Sequence, residues 1–163
     1  MPKAQFFSLD LLVGAGVLLF LLTAYLIFLS DFSNRANSFE AYRSARIAAA
    51  EASSALAESP GEPADWQALA SPNSSSIGSM GLCSQTRLLD NAKLAKLSTL
   101  AYNESKSILG LDRFEFRVSV LYANGTAAYQ TGLTPQPEVQ TIVVDRMVAY
   151  NNSPARLRLE VWI

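Results

Sequence analysis

The sequence predicts an α+β protein in which a long N-terminal helix, first membrane-spanning and then Ala-rich, carries a small head domain. The head is expected to contain a second helix and an antiparallel four-stranded sheet. Three observations support this fold class: an uncharged apolar run near the start, an Ala-rich stretch of helical composition behind it, and alternating apolar and polar residues from Arg113 onward. The order of helices first and strands last is typical of an α+β domain.

The apolar run extends from Leu11 to Leu29 without a charged residue. A helix rises about 1.5 Å per residue, so this run covers the roughly 30 Å of a bilayer core. A buried helix of a soluble protein can also be apolar all round, but the remaining chain is too short to wrap one. The candidate small-x-small cleavage motif, Ala36-Asn37-Ser38, is a poor one and lies too far downstream for conventional signal-peptide cleavage. The run is therefore predicted to stay in the protein as a membrane helix.

Residues 39–58 are rich in Ala, with larger apolar residues at Phe39, Tyr42, Ile47 and Leu56, and predict a helix. This helix either continues the membrane span or is separated from it by a flexible break over residues 30–38. The prolines of residues 59–63 end it. The following stretch to Ser84 is predicted to be an ordered loop anchored by Trp66.

A second helix is predicted over residues 92–109, because apolar residues recur there at helical spacing. Asp90 precedes it as the expected N-cap, and Gly110 supplies the C-terminal stop.

Four strands are expected to follow. The first, over 114–120, alternates apolar and polar residues, and Asn124-Gly125 indicates a type I′ turn into the second, over 127–131. Residues 139–150 and 156–163 form another predicted pair around the turn at 151–154.

The composition excludes several kinds of site. Histidine is absent and Cys83 is the only cysteine, so Cys/His metal sites, an intramolecular disulfide and His-assisted nucleophiles are ruled out. Cys83 is interpreted as a small buried apolar residue. The 13 basic and 14 acidic residues are intermixed, which predicts no nucleic-acid partner.

No catalytic motif, metal site or cofactor motif is recognisable, so no enzyme activity and no cofactor are expected. The scattered acids Glu62, Asp65, Glu115 and Asp145 are interpreted as solvated surface groups. Trp66 and Trp162 could form an exposed aromatic binding spot, although anchoring the loop and the last strand is the commoner use of such residues.

The side of the membrane on which the head lies is indicated by sequons rather than by charge. Lys3 precedes the span and three arginines follow it, so positive charge alone does not orient the helix. Four N-x-[ST] sequons lie after the span and are candidate N-glycosylation acceptors, which suggests an exported head. They begin at Asn73, Asn103, Asn124 and Asn151.

The first ten residues combine one base, a small residue and Gln ahead of the apolar helix, as Lys3-Ala4-Gln5. This head of the chain resembles the class III signal peptide of archaeal type IV pilin-like proteins. The resemblance implies a leader of residues 1–4, cut off by a membrane-embedded prepilin-type peptidase between Ala4 and Gln5. It also implies a transmembrane and assembly helix over 5–30, a helical extension over 31–58 and an extracytoplasmic head over 59–163.

In that family an acidic residue four places after the new N-terminus pairs with the amine of a neighbouring subunit. Asp10 stands in this role here, five places after Gln5. Asp10 equally suits a helix-capping role, because a carboxylate at a helix start accepts backbone N–H bonds and complements the dipole. Both roles for Asp10 remain open.

The expected function is that of a pilin-like cell-surface structural subunit, assembled through its hydrophobic N-terminal helix. Its implied partners are membrane lipid, a prepilin-type peptidase and other pilin-like subunits, in a homo- or hetero-oligomer. The N-terminus is expected in the cytoplasm and the head outside the membrane, or on an extracellular filament. The alternative is a membrane-anchored surface module that does not polymerise and binds a ligand or envelope component with its head.

Overall fold

The computed structural model describes the backbone of residues 3–163 and the side chains of residues 11–163 other than those at 34 and 37. The described chain divides into two compact units, one that ends at Tyr42 and one that comprises residues 43–163. In chain order the elements are α1 (Lys3–Glu58), β1 (Gly61–Glu62), a 3-10 turn (Trp66–Ala68), β2 (Ser79–Met80), β3 (Cys83–Gln85), β4 (Leu88–Leu89), α2 (Asn91–Thr99), α3 (Tyr102–Ile108), β5 (Glu115–Tyr122), β6 (Ala127–Gly132), β7 (Ile142–Tyr150) and β8 (Ser153–Trp162).

The long N-terminal helix is confirmed. α1 is helical through residues 30–38, so the flexible break considered there is absent. The helix ends at Glu58, where Ser59 makes the last i to i−4 bond, to Ala55 O, and Pro60 follows without an N–H.

The buried side of α1 differs from the expected one. Of the four larger residues that suggested its apolar face, Leu56 is buried, whereas Phe39, Tyr42 and Ile47 are exposed. The buried stripe is formed mainly by small residues at helical spacing, namely Ala45, Ala49, Ala52, Ser53 and Ala57, together with Leu56. Small side chains on this side allow the helix backbone to lie close to the core, while Ile47 is 49% exposed.

The sheet of the head has six strands in the order β3-β4-β7-β8-β5-β6, rather than the predicted four. The four long strands β5 to β8 are those that alternation predicted, and they pair antiparallel. β3 and β4 add the fifth and sixth strands, and β4 joins β7 in parallel through Leu88 and Ala149. They were missed because strands of two or three residues are too short to display a period.

The predicted second helix is present but divided into α2 and α3. Leu100 and Ala101 adopt extended ψ angles of 141° and 135°, which interrupts the helix without a Pro or Gly. The break allows the Tyr102 ring to stack on Phe116 of β5, with centroids 5.1 Å apart. Tertiary packing thus overrides a local helical pattern.

Both ends of this helical region follow the sequence signals. Asp90 accepts the Ala92 N–H at 2.7 Å, confirming it as the N-cap. At the other end Leu111 N–H bonds to Lys106 O and Gly110 N–H to Ser107 O, a Schellman motif with Gly110 at φ +68°.

The turn at Asn124-Gly125 forms a hairpin, but the predicted type I′ geometry is wrong. Only Gly125 has a positive φ, of 82°, whereas type I′ needs two such residues. The strands shift register between Val120 and Leu121, so that a three-residue loop with a bulge replaces the two-residue turn. The two-residue turn with paired positive φ values, 49° and 58°, lies instead at Asn151-Asn152.

One apolar core joins α1, the loop, both short helices and the inner face of the sheet. Its central residues on β5 and β8 are Phe116, Val118, Val120, Leu157, Leu159 and Val161. Cys83 belongs to this core, fully buried, and its thiol contacts Ala57 O at 2.9 Å, which confirms its interpretation as a buried residue. Burial raises the pKa of the thiol.

A carboxylate cluster joins α3 to the start of β5. Glu115 accepts a hydrogen bond from the Tyr102 hydroxyl at 2.7 Å and from Lys106 Nζ at 2.9 Å. These two bonds lower the pKa of Glu115 from its ordinary 4.5, while burial and the bond to Glu115 raise the pKa of Tyr102 to about 12.

Glu115→Gln should therefore destabilise the head near neutral pH and not in acid. The folded-state pKa of Glu115 is depressed, so its contribution is complete above pH 4.5 and disappears as the pH falls through the folded-state value. Because the carboxylate is partly exposed, we expect a loss of about 1 kcal/mol at pH 7. Urea midpoints at pH 7 and pH 3 measure this effect. The exposed Glu138→Gln is the control, and an equal loss at both pH values would contradict the assignment.

Candidate membrane and assembly surface

The outstanding surface of the molecule is the apolar helix surface, defined here as residues 11–29 of α1. Every residue in it is exposed; Leu12 and Phe20, for example, are each 73% exposed. Within the described chain, no part of the apolar segment long enough to span a membrane is buried. A contiguous apolar surface of this size marks an interaction site for lipid or protein.

Among the described residues, a single helix, α1, is long and apolar enough to cross a membrane. Its hydroxyl side chains within the surface are those of Thr23 and Tyr25. The Thr23 hydroxyl donates to Leu19 O at 2.8 Å, so this polar group is satisfied inside the helix. Internal satisfaction of that kind is what an apolar solvent requires.

The C-terminal limit of the surface is set by charge. Asp31 and Arg35 form an i,i+4 ion pair at 3.0 Å, with side chains 60% and 79% exposed. Charged groups are costly in hydrocarbon, which places the end of the apolar segment before Asp31. Phe28 and Phe32 stack across this limit with centroids 6.5 Å apart.

The predicted processing and assembly residues lie at the other end. The side chains of Lys3, Ala4, Gln5 and Asp10 fall outside the described residues. Cleavage between Ala4 and Gln5, and both roles of Asp10, stay predictions.

The hypothesis that Trp66 and Trp162 form an exposed aromatic binding spot is wrong. Trp66 is fully buried and donates from Nε1 to Gly81 O at 2.9 Å, so it anchors the loop. Trp162 is only 6% exposed on the last strand. Neither ring offers a face to a ligand.

Two of the four acids interpreted as solvated surface groups form ion pairs at the surface, where Asp145 is exposed and Glu115 is partly exposed. Asp145 accepts two hydrogen bonds from Arg158 at 2.8 and 2.9 Å and faces Arg156 at 3.6 Å. The Arg158 bonds lower the pKa of Asp145. Glu115 is held as described above, whereas Glu62 and Asp65 are exposed. Within the described part of the chain, no three potential metal-ligating side chains gather together.

A buried lysine is the feature of the head that the sequence analysis missed. Lys93 is 2% exposed, and its ammonium donates to Pro60 O at 2.7 Å and Cys83 O at 2.9 Å. Burial lowers the pKa of Lys93. The sequence offered one indication of this burial: Lys93 lies one helical turn before the buried Leu97, so both side chains lie on one face of α2. The contacts give Lys93 a structural role, because its ammonium joins the Pro60 carbonyl just beyond the end of α1 to the Cys83 carbonyl of β3.

A cavity of about 230 Å³ lies between the α2–α3 break and the end of β6. Its apolar walls are Leu97, Leu100, Phe116 and Leu133. Small-molecule sites typically enclose about 300–1,000 Å³. This cavity is therefore below the usual size of a cofactor site.

The four sequon asparagines, Asn73, Asn103, Asn124 and Asn151, are all exposed in the head. They lie in different local structures, namely a loop turn, α3, the β5–β6 turn and the β7–β8 turn.

Comparison with known proteins adds no relative. No family model, no curated protein sequence and no solved structure matches the chain.

Proposed function

We propose that this chain is a pilin-like cell-surface structural subunit, held by its N-terminal helix and assembled through that helix with other subunits. The observation that carries the proposal is the uncovered apolar helix surface at residues 11–29, attached to a head that has its own core. Burying a Leu, Val, Ile or Phe side chain is worth about 1.5–3 kcal/mol, so such a surface needs an apolar environment.

Two environments can cover this apolar surface and remove it from water. Before assembly it is lipid, because the length of the run suits a bilayer and its charged limit begins at Asp31. After assembly it is the same helix of neighbouring copies or related pilin-like subunits, since residues 11–29 are exposed on all sides.

The remaining parts of the proposal rest on the resemblance. A prepilin-type peptidase removes residues 1–4 on the cytoplasmic side, and the head lies outside the membrane or on an extracellular filament. The head acts as a structural and surface-presenting domain rather than as an enzyme. Its tightly paired charges and buried tryptophans are in keeping with that role.

The N-terminus of the mature protein tests the proposal. We expect mass spectrometry of the protein from membranes to find an N-terminus at Gln5, and sheared surface filaments to contain the protein. An intact Met1 terminus together with absence from filaments would contradict the proposal. That result would favour the alternative, a membrane-anchored surface module that does not polymerise.

Asp10→Ala separates assembly pairing from helix capping. A lost cap costs about 1 kcal/mol of helix stability and leaves filaments intact. Loss of an assembly partner abolishes filaments while the membrane form persists. Asp31→Ala is the matched control, because it removes an exposed carboxylate of the same helix whose ion pair is worth only about 0.3–0.5 kcal/mol. Filaments that survive Asp10→Ala would eliminate the pairing role.

A further inference from the structure

The four sequons differ in a way that bears on their chemistry. In N-glycosylation the side-chain nitrogen Nδ2 of Asn is the nucleophile, and the hydroxyl residue two places later belongs to the recognised motif. A sequon in a folded protein therefore has to present both side chains on one accessible side of the chain.

Two sequons meet this requirement through the same local hydrogen bond. Asn73 Oδ1 accepts the Ser75 N–H at 3.0 Å, and Asn124 Oδ1 accepts the Thr126 N–H at 2.9 Å. Each is an Asx turn that folds the Asn onto the hydroxyl residue of its own sequon. All four residues are exposed.

The identity of the acceptor atom matters in these turns. The donor is a backbone N–H in both cases, so the bond engages the amide oxygen and not the nitrogen. The nucleophilic Nδ2 of Asn73 and Asn124 is thus not consumed by the turn that holds the side chain.

The Asn103 sequon is arranged differently, because it lies inside α3. Residues two apart on a helix do not face each other. Asn103 is exposed, whereas Ser105 is 3% exposed and its hydroxyl donates to Ala101 O at 3.3 Å. The hydroxyl of this sequon is out of reach of an enzyme that binds Asn103.

The Asn151 sequon is constrained by a second amide. Asn151 occupies the tight β7–β8 turn at φ 49°, and its Oδ1 accepts a hydrogen bond at 2.8 Å from Nδ2 of Asn91, at the start of α2. This bond does not engage Nδ2 of Asn151, but it ties the side chain to a second element of the head. Binding of Asn151 in an enzyme site would break this contact and strain a two-residue turn.

We propose that Asn73 and Asn124 are the N-glycosylated residues of the folded head, and that Asn103 and Asn151 are not modified. The proposal rests on the proposed function only in requiring that the head be exported. The co-reactant is a sugar linked through phosphate to a polyprenyl lipid. Asn Nδ2 forms a bond to the anomeric carbon and loses one proton, while the bond from that carbon to the phosphate oxygen breaks and the lipid phosphate leaves.

The test uses the full-length protein, produced in cells that attach N-glycans to a reference envelope protein. We expect mass spectrometry to find glycopeptides containing Asn73 and Asn124, and the intact protein to run two glycan steps above its unmodified mass. Asn73→Gln and Asn124→Gln should each remove one step, and the double variant should remove both. Asn103→Gln and Asn151→Gln are the matched controls and should leave the pattern unchanged.

Protease accessibility of the head in intact cells makes the two proposals separable. An accessible head without glycan on Asn73 and Asn124, or with glycan on Asn103 or Asn151, overturns this inference and leaves the membrane anchor untouched. A head protected inside the cell overturns the orientation in the proposed function as well.

Discussion

Replacing Leu19 and Leu22 together by Arg is expected to release the protein from the membrane. Both residues lie in the middle of the apolar helix surface, 62% and 53% exposed. On the biological insertion scale an Arg at the helix centre raises the free energy of insertion by about 2.5–3.5 kcal/mol. Removal of the Leu raises it by about 0.5 kcal/mol more, because the favourable contribution of that Leu is lost. Two substitutions therefore cost about 6–8 kcal/mol.

That cost is comparable to the whole driving force for insertion. Residues 11–29 contain mainly Leu, Ile, Phe and Val, each contributing about 0.3–0.6 kcal/mol, which sums to roughly 4–8 kcal/mol. The substituted helix is then at or beyond the point where insertion ceases to be favourable. Fractionation with carbonate extraction measures the result: the unaltered protein should stay with the membranes, and the doubly substituted protein should move to the soluble or aggregated fraction.

Leu133→Arg combined with Met147→Arg is the matched control. These residues are 48% and 62% exposed on the head, so the same chemical change occurs outside the apolar helix surface. We expect this variant to remain in the membrane fraction. Membrane retention of the Leu19 and Leu22 variant at an undiminished level would contradict the anchoring role of this helix.

The elements with long, regular patterns were predictable from the sequence. The N-terminal helix follows from an uncharged apolar run and an Ala-rich stretch, whereas the helical region with its Asp90 cap and Gly110 stop and the four long strands repeat a period over several residues. The elements that were missed or wrong depend on tertiary contacts. The break at Leu100–Ala101 accompanies the stacking of Tyr102 on Phe116, and the short β3 and β4 are defined by their pairing with each other and by the pairing of β4 with β7.

The candidate site divides in the same way. The apolar helix surface could be read directly, because its whole signal is the absence of charge over a bilayer length. The four sequons could also be found directly, because each is a three-residue motif. The differences between them lie in hydrogen bonds and burial, which a three-residue pattern does not encode. The burial of Lys93 and the small-residue stripe of α1 likewise follow from how closely the backbones approach, which composition alone does not reveal.

The close approach at Gly81 leads to the second large effect: Gly81→Ala should destabilise the head by about 3 kcal/mol or more. A Cβ at Gly81 would overlap the Ser59 carbonyl oxygen and press on the Gly61 nitrogen. Both neighbours are backbone atoms, held where the chain leaves α1. Gly81 O also accepts a hydrogen bond from the Trp66 indole, so a shift of the segment between β2 and β3 would disturb the buried tryptophan.

Gly78→Ala is the matched control, because it adds the same methyl group in the same loop and removes the same unfolded-state freedom. The nearest atom to its Cβ would be Glu62 O at 3.8 Å, an ordinary contact. With a urea dependence of about 1–3 kcal/mol per molar, the Gly81 variant should unfold at least about 1 M earlier, while the Gly78 variant should keep its midpoint or raise it slightly. Tryptophan fluorescence in detergent follows the transition. Equal midpoints for both variants would mean that the backbone at Ser59 and Gly61 yields freely, and that the contact beyond α1 does not hold the loop onto the head.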